Sequence, residues 1–574
     1  MVISRKPVAA LAVSALLLSV AACGGGSSSS GKGGNDTAAG TKGGTLYYLT
    51  KRPTEHLDPT RTYIGRDIVD LNRTVYRSWV NYPVTSDDKA AAVPVADLAT
   101  DTGTANSTNT QWSFTLKDGV KWQDGSAITC EDFKYGVSRN FATNLDGGPK
   151  YAVDYLDVPK NKDGTSTYQG PFKKTGQAAF DKAVSCKGNT ITYKFNKPFP
   201  DFPLAIASLL IFNPFKQSQD QGEKSNYAIF ANGPYKLQGK WNTTSGGTFV
   251  RNSQWDSKTD TIRKALPDQI VFTQGLTNEV INQRLISDSG KDQAAITDRA
   301  IPPAFYSQIT GLVQKRSTLT DSPFVFYLTP NFNRMKNLKV RQALMAATNA
   351  VGQITAEGGS KAAKPAKTLI NPTLVGYTPN PNFKYSASGD VAAAKKLLQS
   401  SGEKLPYPLK YTYQGGTPTS DKAASALAAT WKAAGFKVTL DPLADTYYSV
   451  INKPTADGDV FNAGWGPDWP SSKTVLPPLF DSRTNLTADS NNSDYGNYRS
   501  DAVNKMIDAA ANEPDLQKQG ADYAAIDDKL GKDVAYIPLE IQRFYFLHGS
   551  KITGYQSGPA TTYFADLGSI GVAK

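Results

Sequence analysis

The chain has 574 residues, 39% hydrophobic and 20% charged, with 28 Tyr, 24 Phe and 8 Trp, a folded globular composition long enough for several domains of roughly 150 residues. His56 and His548 are the only histidines and there are three cysteines, so His-rich zinc sites and four-thiolate clusters are excluded, and no metal or cofactor is expected. The formal charge of +12 is scattered among acids along the chain and not gathered into a stripe, so no nucleic-acid partner is expected.

The first element decides the compartment. Arg5 and Lys6 precede a thirteen-residue apolar run, Val8 to Val20. That run is too short to cross roughly 30 Å of hydrocarbon but suits a signal-peptide core. It ends in Ala21, Ala22 and Cys23, which resemble a bacterial lipobox, with residues 1–22 removed and Cys23 carrying the lipid anchor. An ordinary secretory cleavage site with an incidental Cys is the alternative. Gly24 to Gly44 holds 9 Gly and 4 Ser, the composition of a flexible tether, and residues 23–43 are assigned to it. Within it, Gly26 to Gly33 nearly spells a phosphate-binding loop, but Gly33 replaces the required Ser/Thr and no strand precedes it. The mature protein is expected outside the cytoplasm, held to the outer face of the bacterial cell membrane by lipid alone.

In that oxidising space the two remaining cysteines, Cys130 and Cys186, read as a disulfide, with two separate buried thiols as the alternative. From Gly44 to about Lys197 apolar residues largely alternate, as at Leu46 and Tyr48, at Trp112, Phe114 and Leu116, and at Ile191, Tyr193 and Phe195. Period two predicts half-buried strands. Lys117 to Gly125 carries two Asp-Gly turns, Cys130 to Phe141 reads as a short helix, and Pro159 to Gly176 as a surface insertion.

From about Asn333 helices and strands alternate. Val340, Ala343, Leu344, Ala347 and Val351 share one predicted helical face, and Val391, Ala394, Leu397 and Leu398 mark a second helix ending at Gly402. A strand (Leu409, Tyr411, Tyr413), a helix (Ala424, Leu427, Ala428, Trp431) stopped by Gly435, and a strand (Phe436, Val438, Leu440) form a βαβ unit whose strands should be parallel. Another strand, Asp459 to Gly464, runs into the turn that begins at Trp465. Ligands of open α/β sheets bind beyond the carboxyl ends of strands, so Ala463 to Pro470 is the candidate site.

Seven motifs in order carry a resemblance: Gly43 to Leu49 with Leu57 to Pro59, Trp112 to Arg139, Asn232 to Leu237, Asn337 to Asn349, Asp390 to Gly402 and Gly464 to Pro470. Together they resemble the extracellular solute-binding proteins of family 5, the oligopeptide and dipeptide receptors of ABC importers. The resemblance implies an α/β fold, a two-lobe periplasmic-binding-protein-like clamp of type II, of the large class with an extra α/β domain inserted in the first lobe. The first lobe would take 44–78, 201–321 and 548–574, the insert 79–200 and the second lobe 322–547. The implied partners are a peptide ligand and ABC permease subunits with cytoplasmic ATPases, and the protein is expected to act as a monomer.

A receptor for many peptides must draw affinity from what all peptides share. Strand-like edges can pair with backbone amides, and a buried carboxylate can hold the amino terminus through a charge-assisted hydrogen bond. Side chains then need only roomy, hydrated pockets. In oligopeptide-binding relatives the amine anchor is an Asp three residues after a Trp, which here gives Trp465 and Asp468, with Gly464 before them. The alternative is that Asp468 caps a surface turn. The family's second acid in this turn is missing, because Ser471 and Ser472 follow Pro470, and Asn462 stands where some relatives carry an Arg for the ligand's carboxyl end. Lys453 either replaces that Arg or is one more solvated lysine. Tyr63, Phe324, Tyr327 and Tyr447 are candidate cleft aromatics, with ordinary core or surface as the alternative for each. The competing functions are a receptor for another solute such as an oligosaccharide, and a secreted hydrolase, which would need two carboxylates about 5–10 Å apart. No such pair and no Ser-His or Cys-His constellation is legible, so no catalytic residue is assigned.

Overall fold

The structure is a computed structural model that describes residues 40–574. Cys23, the leader and the phosphate-loop lookalike lie outside the described residues. The expected tether was drawn to Gly43, but the chain is already held before that point. The Thr41 amide donates to Thr553 Oγ1 at 3.2 Å, and the Gly43 amide donates to the Leu266 carbonyl at 2.8 Å. Among the described residues no helix is long and apolar enough to cross a membrane.

Three sheets organise the chain. The first has five strands in the order Ala295–Thr297, Thr45–Leu49, Gln269–Thr273, Gly246–Arg251, Tyr235–Asn242. The first three run parallel and the last two antiparallel. The second sheet is antiparallel, ordered Thr104–Ala105, Gln111–Thr115, Thr190–Lys194, Val184–Lys187. It carries the helix Cys130–Arg139, whose start is fixed by a capping box between Thr129 and Asp132. Phe133 and Val137 on that helix are fully buried, and a disulfide joins Cys130 to Cys186 at a Cα separation of 6.0 Å. These two sheets share one continuous apolar core, with Leu46 and Tyr48 from the first and Phe114, Ile191 and Tyr193 from the second. The segment 79–200 thus adds a sheet to the first lobe without separating from its core. The expected surface insertion at Pro159 to Gly176 is anchored by Tyr168, 1% exposed, whose ring stacks on Phe180 at 4.5 Å, and Gly170 is buried beside it in sequence.

The third sheet has six strands, ordered Ala363–Pro365, Ile537–Leu547, Ser317–Pro330, Val460–Trp465, Tyr407–Gln414, Phe436–Leu443. Tyr407–Gln414 and Phe436–Leu443 pair in parallel across the helix Pro418–Ala434, which ends on Gly435 in the left-handed region (φ +110°), as the βαβ pattern predicts. One helical expectation needs correction. The stripe Val340 to Val351 is two helices, Leu338–Ala347 and Ala350–Glu357, and Val351 is exposed. Thr348 turns its hydroxyl back to the Leu344 carbonyl at 2.8 Å, and Asn349 caps the next helix by accepting from the Gly352 amide at 2.8 Å. Such side-chain bonds compete with helix continuation.

The lobes are joined by adjacent strands. Ser317–Pro330 pairs antiparallel with Ile537–Leu547 from Ser317 opposite Leu547, with an irregularity between Asp321 and Val325. The expected lobe boundary at Ser322 falls inside this strand pair. Leu319, Tyr545 and Leu547 at its far end pack with Leu49, Ile281 and Ala295 of the first lobe.

Candidate functional site

Val460–Trp465 lies between Ser317–Pro330 and Tyr407–Gln414 in the six-stranded sheet, so its carboxyl end delivers the following turn to the space between the lobes. The turn is fixed from within its own lobe. The Trp465 indole N–H donates to the Thr474 carbonyl at 2.8 Å, and the Asp468 amide donates to Thr474 Oγ1 at 3.2 Å. Gly466 is needed for close approach, since a Cβ there would stand 2.4 Å from the Phe324 ring.

From this turn three side chains reach the first lobe. Asp468 Oδ2 accepts from the Tyr63 hydroxyl at 2.9 Å and from the Tyr151 hydroxyl, so one carboxylate oxygen ties the second lobe to both the first lobe and its insert. Trp469, 1% exposed, belongs by packing to the first-lobe core, edge-on to Tyr151 at 4.7 Å and against Phe199 at 5.8 Å. Its indole N–H donates to Asp201 Oδ2 at 2.6 Å. Lys473, also buried, places its ammonium 3.3 Å from Asp201 Oδ1 and over the rings of Tyr155 (4.4 Å) and Phe199 (4.2 Å). Aromatic faces favour such a cation.

Burial shifts both Asp468 and Lys473 at this boundary. Burial pushes the Asp468 carboxyl up to about 6, against the pull of the Tyr151 and Tyr63 hydroxyls, and no cationic side chain contributes. Burial lowers the Lys473 ammonium to about 8, opposed by Asp201. Both tyrosine hydroxyls are pushed above their ordinary range, first by burial and then by the Asp468 charge, so they remain donors.

Asp468 lines an interlobe cavity of about 380 Å³. One wall comes from the helix Gly65–Thr74 through Ile68, Val69, Asn72 and Arg73; the opposite wall comes from Pro372 to Leu374 and Pro467 to Pro470. Pro323, on a crossing strand, and Pro559 to Tyr563, near the end of the chain, complete it. The size falls in the range of small-ligand sites, about 300–1,000 Å³. Among the described residues no group of three or more His, Cys, Asp and Glu is placed to hold a metal ion.

A family model described as bacterial extracellular solute-binding proteins, family 5 middle, matches residues 93–486, more than half of the chain. The chain belongs to this family. Among its curated relatives, the periplasmic murein peptide-binding protein MppA of Escherichia coli is 23% identical over 84% of this chain and 85% of its own length. The periplasmic oligopeptide-binding protein OppA of Salmonella typhimurium is 24% identical over 78% of each. Among solved structures, clavulanic acid biosynthesis oligopeptide binding protein 2 superposes with a TM-score of 0.82 at 24% identity, covering 94% of this chain and all of that one. The unliganded open form of MppA superposes at 0.69 with 21% identity. Family 5 proteins are solute-binding receptors, and their fold is the two-lobe α/β clamp seen here.

Within this family 5 clamp the sequence-predicted residues separate into two groups. Asp468 and Tyr63 meet at the interlobe boundary; Trp465 and Gly464 position the turn, and Gly464 sits opposite Phe326 in the sheet. Phe324 packs on Gly466 and faces Phe544 at 6.1 Å, beside the crossing strands. The others are corrected. Tyr327 is 2% exposed in the second-lobe core, edge-on to Tyr536, because its strand is covered on that face. Tyr447 is buried with Ile451 and Phe461, and its hydroxyl donates to the Asn462 carbonyl. Lys453 is exposed and reaches only the Asp489 carbonyl at 3.4 Å, on the surface. Asn462 accepts from the Gln414 amide at 3.2 Å inside the sheet. Sequence reasoning missed Tyr151, Asp201, Trp469 and Lys473. Trp469 and Lys473 adjoin the recognised motif, but their partners lie more than 260 positions away in the chain.

Proposed function

We propose that this protein captures peptides in the interlobe cavity and delivers them to an ABC permease, with Asp468 holding the ligand's amino terminus. One observation carries the reading: Asp468 is a carboxylate on an interlobe cavity, raised to about 6 by burial and given hydroxyl donors but no cation. Two hydroxyls favour the charged form without neutralising it, and a ligand ammonium supplies the missing charge through a charge-assisted hydrogen bond. The family membership and the peptide-binding relatives MppA and OppA support the same reading. The receptor performs no chemistry on its ligand. It acts as a monomer, anchored by lipid on Cys23 to the outer face of the cell membrane.

The test is calorimetry of the purified chain with a short peptide bearing either a free or an acetylated amino terminus. The free amine should bind at least tenfold more tightly, and equal affinities would remove Asp468 as the anchor. Labelling cells with radioactive palmitate should mark the native protein and not Cys23→Ala; equal labelling would remove the lipid assignment.

A further inference from the structure

A second cavity, of about 540 Å³, lies wholly within the second lobe. It is lined by the junction between the helices Leu338–Ala347 and Ala350–Glu357, by Pro365 to Lys367 at the sheet's edge strand, by the loop from Pro379 to Ala387, and by Ile537 and Pro538. Ile537 opens the strand Ile537–Leu547, whose other end packs with the first lobe. The cavity therefore stands roughly 30 Å of strand away from that contact, at about 3.3 Å per residue.

Its lining is apolar with a cationic rim. Met345, Ala350 and Ile537 are buried in the second-lobe core, and Phe383 and Tyr385 pack half-buried against the same core. Lys367 and Lys384 are the only charged residues among those lining the cavity, and both are exposed. The Lys384 ammonium stands 5.9 Å from the Tyr385 ring centre, and neither lysine has an ion-pair partner among the described residues. Neighbouring acids are committed elsewhere. Asp390 caps the helix Val391–Gln399 by accepting from the Ala393 amide at 2.8 Å, Asp527 accepts from the Thr368 hydroxyl at 2.6 Å, and Asp528 pairs with Lys532 at 2.6 Å.

From this we infer that the cavity is a second ligand site, separate from the interlobe cleft, that takes a small carboxylate with an apolar or aromatic body. The volume falls in the range of small-ligand sites, and the buried floor takes the ligand's hydrocarbon out of water. The two unpaired ammoniums at the rim supply charge-assisted hydrogen bonds to its carboxylate. A cationic ligand would meet like charge on both lysines and no carboxylate in the lining, so the free amine of a peptide has no partner here. The inference does not depend on Asp468 or on what the cleft binds.

Calorimetry of the full chain with 4-phenylbutyrate, 4-phenylbutyramide and 4-phenylbutylamine tests the inference. The butyrate should bind with one equivalent and at least tenfold more tightly than the amide, and the amine should bind more weakly still. Ala387→Trp, which fills the cavity, should weaken the butyrate at least tenfold. The double variant Lys367→Gln with Lys384→Gln should do the same by altering only exposed side chains, which keeps the test decisive if the tryptophan variant fails to fold. Ala560→Trp, which fills the interlobe cavity, should leave butyrate binding unchanged. Equal affinity for butyrate and amide, absence of butyrate binding, or loss of binding in Ala560→Trp but not in the lysine variant would each overturn the site. So would a dimer in sedimentation equilibrium that Ala387→Trp dissociates, because a second copy of the chain would then cover this face.

Discussion

Two carboxylates stand at the boundary between the lobes, and they are finished differently. Asp201 has a full set of partners from the other lobe: the Trp469 indole N–H and the Lys473 ammonium, the latter seated over Tyr155 and Phe199. Asp468 has two tyrosine hydroxyls and no cation. Asp201, a buried acid with a resident cation, is a structural joint; Asp468 is half-buried without one, and under the proposed function the ligand's ammonium supplies that cation. The turn from Trp465 to Thr474 supplies Asp468 and also Trp469 and Lys473, the two partners of Asp201, so the protein holds its lobes together beside the point where it leaves charge unbalanced.

The contrast can be broken most sharply at the joint. Asp201→Ala leaves a buried ammonium and an indole N–H without their partner, and should cost about 3–5 kcal/mol in thermal or denaturant unfolding. Pairing Asp201→Asn with Lys473→Met should recover part of that loss, because neither charge is then stranded. If Asp201→Ala unfolds like the parent protein, Asp201 is not a joint. The open carboxylate should behave in the opposite manner. Asp468→Ala should weaken binding of a free-amine peptide by about 2 kcal/mol in calorimetry while leaving unfolding unchanged or slightly improved, since it removes a half-buried charge that lacks a counter-ion.

Titration sharpens the difference further. With its pKa raised to about 6, Asp468 in the empty protein takes up a proton as pH falls through that value, and ligand binding must release it. Peptide affinity should therefore be flat from about pH 6 to the ligand amine's own pKa near 8 and fall about tenfold per unit below 6. Asp468→Asn should show no such acid limb. The smallest effect belongs to Tyr151→Phe, which removes one donor to the carboxylate: about 1 kcal/mol in affinity, with the acid limb moved to higher pH because the charged form has lost support. An unmoved limb would show that the Tyr151 hydroxyl does not act on Asp468 in solution.

Legibility in the sequence followed the kind of burial. Where residues bury apolar faces, periodicity was enough: the parallel βαβ pair around Pro418–Ala434, the helix Cys130–Arg139 and the strands near Phe114 and Tyr193 sit where the pattern places them. The helix Gly65–Thr74, which walls the cavity, was invisible to that reading. Nearly all of it is buried, yet it carries Arg66, Asp67, Asp70, Asn72 and Arg73; Arg66 pairs with Asp67 and Asp298, and Arg73 with Asp566. Its apolar face, Ile68 and Leu71 continuing to Val75, is short and set among more numerous charged and polar residues, so a reading by apolar runs passes over it. The same blindness made Tyr327 and Tyr447 look like cleft residues, since an aromatic in a strand or short helix reads alike whether it faces core or ligand.

By itself, the sequence determined the family, the α/β alternation and the identity of Asp468 as the residue to examine, because local propensity, turn chemistry and ordered motifs are written in neighbouring positions. Only the tertiary structure decided what Asp468 is: Tyr63 and Tyr151 reach it from 405 and 317 positions away, while Lys473, five residues along, goes to Asp201 instead. Charge balance is a property of space around an atom, and the chain reveals it only after folding has chosen the neighbours.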